Sequence, residues 1–559
     1  MEKKTDTTTS ENGDPRSVED GTTFHQADLD RVQRKLSRSH VQMIAIAGMV
    51  GTGLFLGLGQ TLAVTGPLGV LLVYLHVATV IYATLTSIAE MTAFAPISGS
   101  FPHYAARWVD PALGFAVGWN YFYNVVITVP TEITAAAVLI SFWDPDRSHI
   151  GIYVAVMCVL TIAVNLIGVR FFGNSEIFFS TLKVMLMIGL IIGGLVVTSG
   201  GGPDHQSHGF EYWRNPGPMV SYLEPGARGR FVGYLTAIIP AVFSMGGTEV
   251  IAIAAAETVN PRRNIATAMR TVFFRIVFFY ILSVIVVGLL IPSNDPRIFR
   301  RASTAGQSPF VLAFSRAGIR ALPSVINAAI LTSAFSAGSS ILFGSSRVLY
   351  GLAVRRQAPK VFSKCTASGL PYVAIMVSGA FSTLAFLNVS DKSGKVFGWL
   401  VNLATAGSLL GFATMNLTYL RFYYGLRAQG IKPEGIYHSP LQPYAAMWGL
   451  FWDIFFVLVS GISVFWSFNA SDFIAGCMKA SSHFIYNSLA DGDSMSDINL
   501  PLFALLYVGY KIVKRTKVMP LRDLDFTTGI PSLEETEDAH DYTEPQQRTT
   551  VEKLKAIVQ

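Results

Sequence analysis

Ala47-Gly48-Met49-Val50-Gly51-Thr52-Gly53-Leu54-Phe55-Leu56-Gly57 lies inside an apolar run near the start of the chain. Five apolar runs later, Pro240-Ala241-Val242-Phe243-Ser244-Met245-Gly246-Gly247-Thr248-Glu249 interrupts another. In a bilayer core every backbone N–H and C=O must be answered from within the protein, so a spanning helix does not unwind without cause. Two interrupted spans at corresponding positions of two halves mark a solute site near the membrane midplane. These stretches predict an all-α integral membrane protein whose freed backbone groups face a cavity.

The rest of the chain agrees. Of 559 residues, 51% are hydrophobic and only 14% charged, against about 25% charged in soluble domains; the mean hydropathy is +0.44. The net charge of +6 is no nucleic-acid signal, because the basic residues sit beside apolar runs. Cys158, Cys365 and Cys477 lack the spacing of a metal site or a disulfide framework. The first residues lack the apolar core of a cleavable signal peptide.

Residues 1–40 are polar and read as a disordered tail. Beyond them, apolar runs of about 20 residues recur, the length that crosses a bilayer as helix. Twelve spans are expected, near 41–65, 67–94, 113–141, 150–170, 175–199, 231–256, 271–292, 323–349, 372–389, 396–420, 446–468 and one ending at Val513. Basic clusters at Arg31–Arg38, Arg262–Arg263, Arg355–Lys364 and Lys511–Lys517 fall on one side when the span count is even. The positive-inside rule makes that side, and both termini, cytosolic. The basic loop at Arg297, Arg300 and Arg301 falls outside, where a long loop obeys the rule poorly. The last run, Ile498–Val513, is short, and the polar stretch 477–497 before it reads as an insertion of unspliced-intron type. Residues 41–513 thus form the spanning domain and 514–559 a cytosolic tail.

The break in the first span offers unpaired N–H groups at Val50, Gly51, Thr52 and Gly53, at the positive end of a half-helix that suits a carboxylate. In the sixth, Pro240 removes a helical hydrogen bond. Ser244, Gly246, Gly247 and Thr248 then supply small groups and carbonyls suited to an ammonium, with Phe243 and Met245 as walls. Together they describe a clamp for a free amino acid. Ordinary close helix packing is the competing reading of such small residues.

Buried ionisable residues are costly in a membrane and read as functional by default. Lys183 lies about two turns inside the fifth span and is a candidate proton carrier, with snorkelling to the interface as its alternative. Glu132 in the third span and Glu249 after the second break are candidates for proton coupling or gating, or for structural hydrogen bonds. Glu90 and Glu257, near helix ends, suit gates or salt bridges. On the eighth span, Ser336 belongs to a hydroxyl-rich face with Thr332, Ser333, Ser339 and Ser340, which either glues helices together or closes an ion site.

From His40-Val41-Gln42 through Gly51-Thr52-Gly53-Leu54-Phe55, the sequence resembles fungal amino-acid permeases of the amino acid–polyamine–organocation superfamily. Further matches are Pro96-Ile97-Ser98-Gly99-Ser100-Phe101, Asp110-Pro111-Ala112-Leu113-Gly114-Phe115, Gly247-Thr248-Glu249, Ala256-Glu257-Thr258-Val259-Asn260-Pro261-Arg262-Arg263 and Tyr507-Val508-Gly509-Tyr510-Lys511. The resemblance implies a LeuT-like fold of two inverted five-helix repeats plus two helices, twelve in all, with helices one and six unwound. It also implies proton-coupled amino-acid uptake at the plasma membrane by alternating access. The proton gradient would be the coupling agent, with no cofactor and no metal, and ubiquitin-dependent trafficking machinery would act on the tails. By the same matching, Lys183 stands where sodium-coupled members hold an ion. Asn124, Thr128 and the segment Asn402–Thr405, with Thr405, fall where selectivity is set. Met49 and Met245-Gly246 depart from the usual pattern, so the carried amino acid cannot be borrowed from a relative. A non-transporting receptor on the same scaffold, or a carrier of choline, carnitine or polyamine, is the alternative function. No nucleophile–base constellation argues for an enzyme.

Overall fold

The computed structural model describes residues 36–531 apart from 204, 248, 300–307, 320, 390–392, 433–436 and 461–498. Of the tails expected at 1–40 and 514–559, residues 1–35 and 532–559 lie outside the described residues, as does the insertion expected at 477–497. Eight helical stretches among those described are long and apolar enough to cross a membrane. The first, Arg38–Phe94, is two spans parted at Gly66, whose φ of 78° ends one helix before Pro67 opens the next. Two shorter apolar helices, Ile276–Leu290 and Tyr444–Val459, fall where the seventh and eleventh spans are expected, and the helix Asn499–Lys514 falls where the last is.

Local chemistry sets the boundaries. Ser37 caps the first helix in a reciprocal box with His40, so the helix begins at Arg38 and takes in residues expected to belong to the tail. Asp110 accepts from the Ala112 N–H at 2.9 Å and starts span three, Pro111–Ile140. Gly168, with φ 139°, divides Ile150–Ile167 from Val169–Thr198. The joint falls at Gly168, a few residues before the break expected between spans near 170 and 175. Span seven begins ten residues earlier than expected, at Pro261, a residue pre-set for a first helical turn.

Span three is the centre of the bundle, with 83% of its apolar window buried, while Arg147–Ile167 has 28%. Ile152, Val156 and Val159 therefore point outward, as residues bathed in lipid do. Spans eight and ten pack on either side of span three. Together these central helices bring side chains to the two breaks.

At one end of the bundle, the backbone of Leu36 pairs with Glu257 and Val259 at 2.8 and 2.9 Å. After span twelve the chain turns back across this face. Met519 donates to the Val109 carbonyl, and Arg421 reaches the Met519 carbonyl. Asp525 meets Arg107 at 2.9 Å, while Leu524 and Phe526 bury against Phe94, Trp108 and Phe422. The start of the C-terminal tail is thus part of the fold.

Candidate functional site

Span one stops at Met49 and resumes at Gly53 as a π turn, Gly53–Gly57, that runs into Leu58. Stopping a helix frees its last carbonyls and the next segment's first N–H groups. Side chains from other spans answer them. Lys183 Nζ donates to the Ala47 carbonyl at 3.0 Å, and Ser333 Oγ to the Val50 carbonyl at 3.0 Å. The Thr52 N–H donates to Glu132 Oε2 at 3.4 Å. Lys183 is 1% exposed, so its ammonium turns inward onto a helix C-terminus, where cations are favoured. It does not snorkel.

Span six ends at Met245, and Gly247 takes a φ of 89° before Val250–Ile253 resumes. Thr248 lies outside the described residues. The Ser244 carbonyl accepts from the Tyr280 hydroxyl at 2.8 Å, and Ser244 Oγ lies 3.2 Å from the Tyr74 hydroxyl. The Phe243 carbonyl is taken by the Gly246 N–H at 3.3 Å. Of the expected row of bare carbonyls, Ser244 is taken by Tyr280 and Gly247 accepts from the Val250 N–H at 3.3 Å, so the row is shorter than the sequence implies. Glu249 Oε1 accepts from the Tyr121 hydroxyl at 3.0 Å, while its Oε2 is buried without a partner among the described residues.

The two breaks touch. A Cβ built on Gly48 would stand 2.5 Å from the Gly247 carbonyl oxygen, and one on Gly53 would stand 2.7 Å from Ser244 Cα. Only glycine permits backbones to approach this closely. Between them lies a cavity of about 50 Å³. One water needs ~10–15 Å³ on this measure, so the space accepts a small solute and no more in this conformation.

Of the residues expected to bind substrate, Gly51, Gly53, Asn124, Thr128, Phe243, Ser244, Gly246 and Gly247 line the cavity, and so do Glu132 and Glu249. Val50, Thr52, Met245 and Thr405 are buried nearby but are not among the lining residues. The Thr405 hydroxyl turns back to the Val401 carbonyl at 2.7 Å, a bond helical threonine makes readily, and Ala404 and Ser408 face the cavity instead. Asn124 donates to Ser408 Oγ at 2.9 Å and leaves its Oδ1 buried without a partner among the described residues. Tyr121, Val125, Val250 and Ile341 complete the walls. No Lys or Arg is among the lining residues.

Behind span one lies a carboxylate the sequence reading passed over. Glu176 is 1% exposed and accepts from Ser336 Oγ at 2.6 Å. Its separation from Lys183 is two helical turns on the same span, which places both on one face. That spacing was the available signal. The Lys183 ammonium is close enough to both carboxylates for their charges to interact, more strongly with Glu176 than with Glu132. Ser336 thus serves Glu176 and not the cavity.

Glu90 and Glu257 lie apart from this centre. Glu257 pairs with Arg347 at 2.7 Å, both buried, and the Arg347 guanidinium stacks 4.0 Å from the Phe343 ring centroid. Glu90 accepts from the Tyr419 hydroxyl at 2.5 Å and the Ser439 N–H at 2.6 Å. Both are structural ties.

A family model described as amino acid permease matches residues 40–520. A dicarboxylic amino acid permease of Saccharomyces cerevisiae is 36% identical over 533 residues, covering 94% of this chain and 84% of that protein. A proline-specific permease of Emericella nidulans is 37% identical over 526 residues, covering 92% and 91%. Among solved structures, a closed nucleobase-cation-symport-1 family transporter aligns over 90% of this chain and 97% of its own. Its TM-score is 0.48 and its identity 14%, a likeness too loose to define the fold.

Proposed function

Because the chain belongs to the amino acid permease family, whose members are secondary transporters and not enzymes, we propose that the cavity between the two breaks holds the carried amino acid. Its carboxylate takes the N–H groups of Gly51-Thr52-Gly53, and its ammonium takes the Gly246 carbonyl together with Glu249. The cavity has polar walls from Asn124, Thr128 and Ser408 and no lining cation. This suits a small uncharged side chain and disfavours a second carboxylate.

One observation carries the coupling mechanism: Glu132 already sits on the Thr52 N–H. Two anions cannot share one donor at low cost. A substrate carboxylate enters there when Glu132 takes a proton and gives up the Thr52 N–H. Each amino acid then travels with a proton, and Lys183 keeps the end of the first half-helix charged throughout. With the clamp filled, the bundle rocks around the breaks to open the other side. The even span count and basic clusters support a plasma-membrane permease with cytosolic termini.

The test is uptake of a radiolabelled amino-acid panel in permease-deficient yeast at pH 5 and pH 7. Small neutral amino acids are expected to accumulate, faster at pH 5. Binding without accumulation contradicts transport, and uptake equal at both pH values contradicts proton coupling.

A further inference from the structure

Toward the end of the bundle where the chain turns back, two elements close the cavity. Val250, in the cavity wall, opens the half-helix Val250–Ile253, which packs against the short helix Ser100–Trp108. Phe101 of the short helix is 1% exposed and meets Tyr121, another wall residue, with ring centroids 4.6 Å apart. A solute leaves the cavity by this end when the half-helix and the short helix part.

The segment after span twelve is tied to both sides of that seam. On the side of the short helix, Arg107 Nε and Trp108 Nε1 donate to the Asp525 carbonyl at 2.7 and 3.0 Å, and the Arg107 guanidinium pairs with the Asp525 carboxylate. Leu524 and Phe526 hook behind them onto span ten, where a Cβ on Gly425 would stand 2.5 Å from Leu524 Cδ1. On the side of the half-helix, Arg262 in the first turn of span seven donates through Nη2 to the Pro531 carbonyl at 2.6 Å. Arg262 follows closely on Glu257, where the turn that continues the half-helix ends. The backbone of Leu36 holds Glu257 and Val259 of the same loop independently. Between hook and tip, Thr527, Thr528 and Gly529 are exposed. A segment with a buried hook, an exposed turn and one hydrogen bond from Arg262 at its tip opens at lower cost than the helices around it.

We propose that residues 519–531 are a latch on this side of the cavity, an inference that rests on the transport function proposed above. Seated, the segment bridges the short helix and the start of span seven across the seam. The half-helix then moves away from the short helix when the hook or the tip lets go. The chain's own C-terminal segment thereby sets how often the cavity opens at this end, and with it the rate at which the carried amino acid passes.

Hydrogen exchange of the full-length protein in phosphatidylcholine nanodiscs reads the latch without requiring transport. Phe526→Ala removes the buried hook and is expected to raise exchange about tenfold or more in residues 519–531, 100–108 and 257–264 together. Asp525→Asn keeps the size of the side chain and the apolar seat, loses the charge that Arg107 holds, and is expected to give a smaller rise in the same three segments. Should Phe526→Ala fail to fold, Asp525→Asn is read alone. Both variants are also expected to release a preloaded radiolabelled amino acid from liposomes faster than the parent. A rise confined to 519–531 and 100–108, with 257–264 as in the parent, marks a local prop and overturns the latch, as does release at the parent's rate. If neither parent nor variants move any amino acid while the three segments still rise together, the transport reading fails and the bridge across the seam stands.

Discussion

The two broken helices look alike in sequence and are held in different ways. In span one the freed groups are answered by ionisable side chains: Lys183 on the Ala47 carbonyl and Glu132 on the Thr52 N–H. In span six they are answered by neutral phenols: Tyr280 on the Ser244 carbonyl and Tyr74 beside Ser244 Oγ. The first break thus rests on charged groups from other spans, whereas the second rests on phenols, with Glu249 the ionisable group in its cavity wall. On the function proposed above, the difference divides the labour of a coupled carrier, with span one linking substrate to protons and span six, through Glu249, holding the substrate amine.

The largest effect that would break this division is at Lys183. Lys183→Ala removes the ammonium that answers the Ala47 carbonyl and leaves Glu176 and Glu132 buried. Accumulative uptake is expected to fall by about a hundredfold or more at preserved surface expression; uptake near the parent's would remove span one's special role. Gly53→Ala comes next, because its Cβ must displace Ser244 Cα. Overpacking of this kind costs ~1–3 kcal/mol, so about a tenfold fall in uptake is expected in the same assay.

Tyr280→Phe tests the second break. It removes one neutral hydrogen bond, worth ~1 kcal/mol, so apparent substrate affinity should weaken about fivefold. The ratio of uptake at pH 5 to that at pH 7 should stay as in the parent. A changed ratio would show that span six also carries coupling. The smallest effect is at Thr405, whose hydroxyl serves its own helix. Thr405→Ala should alter uptake less than about twofold. Ser408→Ala, one turn away and facing the cavity, should change the preference among small polar amino acids.

Much of this was legible in the sequence. Gly48, Gly51 and Gly53 announce a break because glycine is costly in a helix interior. Lys183 announces function because a lysine there has no cheap resting place. What stayed hidden are contacts between residues far apart in the chain. Nothing local to Tyr280 says that it answers Ser244, and nothing near Thr52 says that Glu132 occupies its N–H. Glu176 was the exception, since its spacing from Lys183 was readable. Thr405 misled for the opposite reason: a neighbouring position can be right while the side chain turns to its own backbone. The docking of Asp525 and Phe526 also had no signal, because a short apolar segment in a polar tail has no period to read.

The central claim is that Glu132 links the substrate carboxylate to a proton. Purified protein in liposomes, assayed for proton influx and amino-acid influx together, tests it most directly with Glu132→Gln. The amide keeps the shape but carries no exchangeable charge. The account predicts that the parent moves protons with substrate, whereas Glu132→Gln exchanges amino acid across the membrane with no proton influx and no accumulation against a gradient. Proton influx per amino acid equal to the parent's would contradict it.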